Sequence, residues 1–286
     1  MLLRDPFATV SAAFILFVIL MALLGPVLVG HYAEAINLRA KLAPPFTFEK
    51  GWIYILGADT LGRSILARII VASRNTVAIA GASVLVAMIV GTALGLIAGL
   101  SRGSLSSIIM RGADILMSFP SLLLAVVVLY VFEPRVANVV IVLAITRLPI
   151  YIRVVRAEVL EIRERMFVLA ARVLGAGNGR IIRHHILPVV TPTLLTVVTL
   201  ELAFIMLAES SLSFLGIGIQ SPEISWGLMV ASGRNYLTSA WWPAFWPGLA
   251  IMLTTVSLTL LSNWLRIATD PKQRWRLQGA QSGDKP

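Results

Sequence analysis

Apolar residues in this chain come in long unbroken runs, without the polar–apolar alternation of half-buried strands. Six runs, at residues 7–29, 77–100, 115–132, 136–152, 189–207 and 244–265, come close to the roughly 20 residues that a helix needs to cross a hydrocarbon layer. The pattern predicts an all-α, polytopic membrane protein with six transmembrane helices. The second run carries Gly91, Gly95 and Gly99 at four-residue spacing. Such a row is either tolerated glycine or a face on which two helix backbones approach closely, and close packing is the expectation. The fourth run contains Arg147 and Pro149, which leave its end open. The first run is expected to be retained and not cleaved: its uncharged stretch, 6–30, exceeds the length of a signal-peptide core, and Arg4 and Asp5 before it cancel.

Composition agrees with the runs. Of 286 residues, 58% are apolar before the 21 glycines are added, and only 13% are charged. A soluble domain carries about 25% charged residues. With no cysteine, disulfides, thiolate metal sites and cysteine nucleophiles are excluded, and three histidines leave little for a metal centre. The net charge of +10 does not make a nucleic-acid footprint, because the arginines cluster in short segments between apolar runs.

That clustering sets an orientation. With both termini inside, the inner segments hold 15 Lys and Arg, against 2 in the short outer segments 133–135 and 208–243. The bias predicts cytoplasmic termini, a cytoplasmic segment 153–188, and outward-facing segments 31–76 and 208–243. The chain then divides into a first helix with a long outer segment (1–76), a core of five helices (77–270) containing the loop 153–188, and a tail (271–286). Trp226, Tyr236, Trp241, Trp242 and Trp246 suit a membrane interface, and an interfacial belt accounts for most of them.

The four lysines, at 41, 50, 272 and 285, do not follow a glycine, so the chain has no P-loop. Neither H-E-x-x-H nor G-x-S-x-G occurs. The chain is not expected to be an enzyme, and any P-loop ATP hydrolysis that powers it belongs to another chain. Carboxylates within the apolar runs are few: Glu201 in the fifth, Glu209 at its outer end, and Asp114 at the inner edge of the third. Glu201 and Glu209 are the candidates for a translocation pathway. Glu201 faces either a water-filled passage, a partner helix or substrate itself.

The segment 153–188 is amphipathic. Arg153, Arg156, Arg163, Arg165, Arg172, Arg180 and Arg183 are set among aliphatic residues, and Gly175-Ala176-Gly177-Asn178-Gly179 interrupts it. Two short helices joined by a turn are expected. Phe167-Val168-Leu169-Ala170-Ala171 is too apolar for a solvated loop and has the composition of a docking surface.

These residues resemble a known family. Phe167-Val168-x-Ala170-Ala171-Arg172-x-Leu174-Gly175-Ala176, followed by His185-Ile186-Leu187-Pro188, is similar to the EAA loop of ABC importer permeases, in particular the C-type subunit of the dipeptide/oligopeptide/nickel family. Leu56-Gly57-x-Asp59-x-x-Gly62-Arg63, Phe119-Pro120, Leu212-Ser213-Phe214-Leu215-Gly216, Ser225-Trp226-Gly227, Trp246-Pro247-Gly248 and Asp270-Pro271 extend the resemblance over residues 50–275. Leu169 stands where the loop usually has Glu, Ala58 and Ser64 where Thr and Asp are usual, and Ser262-Asn263 where Gly-Asp is usual.

The resemblance implies a type I ABC importer permease fold in a bacterial or archaeal inner membrane. It implies a homologous permease as heterodimer partner, two ATPase subunits carrying ATP and Mg, and an extracytoplasmic substrate-binding protein. This chain itself would bind no cofactor. Phe167, Val168, Ala170, Ala171, Arg172, Gly175 and Ala176 would form the contact with the ATPase. Members of the family carry dipeptides, oligopeptides, glutathione, nickel complexes, opines or sugars. An ion-coupled secondary transporter and a non-transporting membrane scaffold are the alternatives.

Overall fold

Asp5 starts the first helix: its carboxylate accepts from the backbone N–H groups of Phe7 and Ala8 at 3.1 Å, and Pro6 occupies the first turn, where no N–H is needed. The structure, a computed structural model, describes residues 5–101 and 103–269. Asp270-Pro271 and the tail 271–286 lie outside the described residues.

Helix α1 is Pro6–Glu34. Three single 3₁₀ turns follow, and α2 then runs Ile65–Leu100. It starts well before the apolar run at residue 77, because Ser64 caps it. The Ser64 hydroxyl accepts from Ala67 N–H at 3.2 Å and donates to the Ile53 carbonyl at 2.6 Å. Helices α3 (Ser104–Ser118) and α4 (Ser121–Val131) follow, then α5 (Val136–Ile162), α6 (Met166–Val173) and α7 (Asn178–Ile181). A π turn at Ile182–Ile186 joins α7 to α8 (Leu187–Phe214). The last helices are α9 (Trp226–Gly233) and α10 (Trp242–Thr269).

Among the described residues, five helical stretches are long and apolar enough to cross a membrane: α1, α2, α5, α7 with α8, and α10. The third apolar run does not form one helix. Pro120 has no N–H to give and holds Phe119 extended, so α3 and α4 meet at 88°. With 11 residues, α4 reaches only about 17 Å, so a sixth crossing requires both pieces. The segment 153–188 also differs from the expected pair of short helices. Its first third is the continuation of α5, its last third is the run-up to α8, and only α6 stands free. The π turn falls where Pro188 can supply no N–H to the preceding turn, so the helix widens by one residue there.

The glycine row marks where α2 meets α5. A Cβ at Gly91, Gly95 or Gly99 would lie 2.5–2.7 Å from the Cβ of Tyr151, Val155 or Val159 respectively. Only hydrogen side chains permit this backbone approach. The two helix ends are tied as well: Arg163 donates to the Gly99 carbonyl at 2.8 Å, satisfying an orphan acceptor at the α2 C-terminus. Arg153 pairs with Asp114 of α3 at 2.6 Å, and Arg156 reaches Ser106.

At the opposite end, two of the expected belt tryptophans are core residues. Trp226 is completely buried, donating from its ring to the Ile69 carbonyl and from its backbone to Thr76. Trp242 is buried against Ala58, whose carbonyl accepts its ring N–H at 3.1 Å. Each indole has an apolar body and one donor, and a carbonyl near a helix start meets that donor internally, leaving no need for a headgroup. Trp241 remains exposed.

Candidate coupling element and transmembrane polar cluster

Helix α6 has one fully buried side chain. Val168 is fully buried in one apolar cluster with Ile162, Ile181 and Ile186, the last residues of α5, of α7 and of the π turn. Phe167 adds a ring contact with His185. The helix ends in a Schellman turn: Ala176 N–H donates to the Ala171 carbonyl and Gly175 N–H to the Arg172 carbonyl, both at 2.9 Å, with Gly175 at φ +82°. The bond pattern puts Gly175 in the left-handed region, where a side chain is strained.

The rest of the expected coupling set is only partly covered by the chain, Ala176 lying against the same apolar cluster. Ala170, Arg172 and Gly175 are exposed, and Ala171 and Ala176 are half-buried. Three residues absent from that set are more exposed than most of it: Met166 at 80% and Val173 and Leu174 at 87% each. An eight-residue helix with apolar residues on every side was the signal for them. Leu169, in place of the usual Glu, is also exposed. Around this apolar tip, the side chains of Arg172, Arg180 and Arg183 are exposed and make no hydrogen bond or ion pair among the described residues. The element is therefore an apolar knob ringed by free cations, standing on the ends of two long helices.

Glu209, one of the two pathway candidates, is enclosed by the chain itself. It is completely buried, accepts from the hydroxyls of Ser213 and Ser225 at 2.8 Å each, and has Ser210 at 3.5 Å. Ser225 in turn caps α9 through Leu228 N–H. The carboxylate thus pins the start of α9 to α8. The turn Gly57–Arg63 is a second clasp at this end. Asp59 accepts from the backbone of Leu61 and Arg63 and pairs with the Arg63 side chain at 2.8 Å and with Arg68 at 3.6 Å.

Glu201 lies midway along α8, 4% exposed. Its Oε2 is 3.5 Å from Nε of Arg147, which sits on α5 about 17 Å from that helix's start. Sequence reasoning placed Arg147 in a span without giving it a partner. Tyr151, one turn further along α5, is within electrostatic reach of both. The Tyr151 hydroxyl, Arg147 Nε and Glu201 Oε2 are all buried without a hydrogen-bond partner among the described residues. Arg147 also stacks on Phe204, its guanidinium carbon 5.4 Å from the ring centre. Phe204 in turn lines an open apolar groove between α8 and α10, about 320 Å³ in volume, with Leu200, Leu207, Thr255 and Thr259.

A bundle of membrane-length helices, a free-standing apolar knob at one end and a polar cluster at mid-depth define a multi-span permease subunit. The comparisons with known proteins give the family. Residues 91–275 match the family of binding-protein-dependent transport system inner membrane components, and residues 1–45 match the N-terminal transmembrane domain of oligopeptide transport permease C. The chain belongs to this ABC importer permease family. It is 36% identical over 272 residues to a probable D,D-dipeptide transport system permease of Escherichia coli, covering 95% of this chain and 90% of that one. It is 39% identical to a di/tripeptide transport system permease of Pseudomonas aeruginosa (91% and 86% covered). It is likewise 39% identical to a glutathione transport system permease of Pectobacterium atrosepticum (76% and 72%). Among solved structures it shares its fold with the MetNI methionine ABC transporter, at TM-score 0.56 and 18% identity over 68% of this chain and 94% of that one. An amino acid ABC transporter matches at TM-score 0.53 and 17% identity, with 71% and 92% covered.

Proposed function

We propose that this chain is one half of the translocation pathway of a peptide importer, paired with a homologous permease. A separate extracytoplasmic binding protein delivers substrate, and two ATPase subunits bound to ATP and Mg drive the cycle from the other side. The peptide class rests on the names of relatives that are 36–39% identical. The orientation follows the charge bias, with α6 and both termini cytoplasmic.

The observation that carries the reading is the α6 knob. Its apolar tip is left exposed by the described residues, yet it sits on the ends of α5 and α7–α8, so whatever grips it moves two spanning helices. Closure of an ATPase pair around it would exert different contacts in two states, which is what coupling requires. Glu201 and Arg147 lie on the moving helices and line the passage at mid-depth.

The test is the complex reconstituted with partner permease, ATPases and binding protein. Ala171→Asp places an unpaired charge in the contact, and Gly175→Val strains the Schellman turn by about 1–3 kcal/mol. Both variants are expected to keep the partner permease and to lose ATPase retention or ATP-dependent uptake. Normal retention and uptake in both would overturn the role of α6.

A further inference from the structure

Arg147 carries hydrogen-bonding capacity that the chain leaves unused. Its contact with Glu201, at 3.5 Å, is too long for a hydrogen bond, and no other acceptor among the described residues reaches the guanidinium. Nε is buried, while the side chain as a whole is 17% exposed, so the edge bearing the two terminal nitrogens is the one that reaches the surface. A guanidinium with no hydrogen bond, turned to hydrocarbon at mid-depth, is costly even beside a carboxylate, and such groups face a pathway or a partner. The opening lies beside Phe204 and the apolar groove of α8 and α10.

Resting on the reading of this chain as a peptide permease, we propose that Arg147 receives the terminal carboxylate of a peptide in transit. The free edge of a guanidinium presents two parallel donors matched to one carboxylate. Tyr151, one helical turn away, is fully buried in the α2–α5 seam, so the donors offered to a ligand are those of Arg147 alone. Glu201 holds the arginine in place from behind. It also neutralises the arginine when the passage is empty and weakens its hold on an incoming anion. A site on a pathway needs that balance, since substrate must leave as well as enter. The groove beside it accepts apolar side chains of varied size, so the common carboxylate is read and the side chains are not.

The test uses the whole importer in proteoliposomes, supplied with an equimolar mixture of natural dipeptides and with the same mixture amidated at the C-terminus. Vesicle contents are read by mass spectrometry. The charge-balanced variant Arg147→Gln with Glu201→Gln avoids leaving one charge buried alone. It is expected to retain all subunits while its acid-to-amide uptake ratio falls about tenfold, the equivalent of one lost charge-assisted hydrogen bond. Arg147→Lys, which keeps a cation, should retain part of the preference. An unchanged ratio in the double variant overturns the proposal. So does loss of the partner permease from that variant, which would make Arg147 an interface residue. Absence of dipeptide uptake by the wild-type importer overturns the peptide reading itself.

Discussion

Glu209 and Glu201 look alike in sequence, two carboxylates eight residues apart on one helix, and the structure separates them. Glu209 has every hydroxyl it needs from its own chain, whereas Glu201 has none and faces an arginine that is also unsatisfied. Removing Glu209 therefore acts on stability. Glu209→Leu orphans the buried hydroxyls of Ser213 and Ser225, at about 1–3 kcal/mol for each unsatisfied group. A clearly lowered melting temperature in detergent is expected. Ser211→Ala, on a half-buried residue whose hydroxyl only returns to its own helix, should change stability by less than about 0.5 kcal/mol. Equal melting of both variants would mean that the carboxylate is not the pin of α9. The tryptophans teach the same lesson. Composition placed Trp226 and Trp242 at an interface because an indole suits one. Their burial depends on the carbonyls of Ile69 and Ala58, which lie far from them in sequence.

Among the elements, the α2–α5 contact has the clearest sequence signal, because a four-residue glycine row has few uses on a membrane helix. Which helix it meets was not readable, since any of the other runs offers an apolar face. Gly95→Val would drive a side chain into Val155, with overpacking of about 1–3 kcal/mol. Gly81, on the same helix, has open space around it, so Gly81→Val is the control. Thermal unfolding should fall in the first variant and stay near wild type in the second. Equal behaviour would mean that the close approach is not needed. Other elements went beyond the pattern. A run of apolar residues cannot show a bend, and the break between α3 and α4 follows from a single proline. Nor can it show where a helix ends when arginines continue it, as α5 does through Arg153 and Arg156 to contact α3.

For the whole molecule, the alternation of long helices places the start of α1 and the end of α10 at the end that carries α6. The charge count predicts that this end is the cytoplasmic one. Because the chain has no cysteine, Ser239→Cys and Gly177→Cys can be labelled without background. Both positions are exposed, one next to α10's start and one beside α6. An impermeant thiol reagent added outside intact cells is expected to modify the first and spare the second; the reverse pattern would invert the topology. At the α6 end, replacing both Val173 and Leu174 with Asp should release the ATPases while leaving the two permeases together, read by subunit retention on purification. Full retention would mean that the apolar tip is not the docking surface.

The sequence by itself determined the class of molecule, an all-helical chain of membrane-length apolar segments, and set the expectation for the side that the basic loop faces. Those properties depend on run length and charge count, which are summed along the chain and need no contact. It also determined the small helix within the segment 153–188, because a glycine that must adopt positive φ and a short apolar run are local features. Only the tertiary structure decided which carboxylate is enclosed and which is left facing Arg147. It alone decided that Met166, Val173 and Leu174 stand outermost on α6, and that the glycine row meets Tyr151, Val155 and Val159. Burial and pairing are properties of residues brought together from distant parts of the chain. A buried charge needs an opposite charge, but the sequence does not say which of the available arginines will be within 4 Å of it.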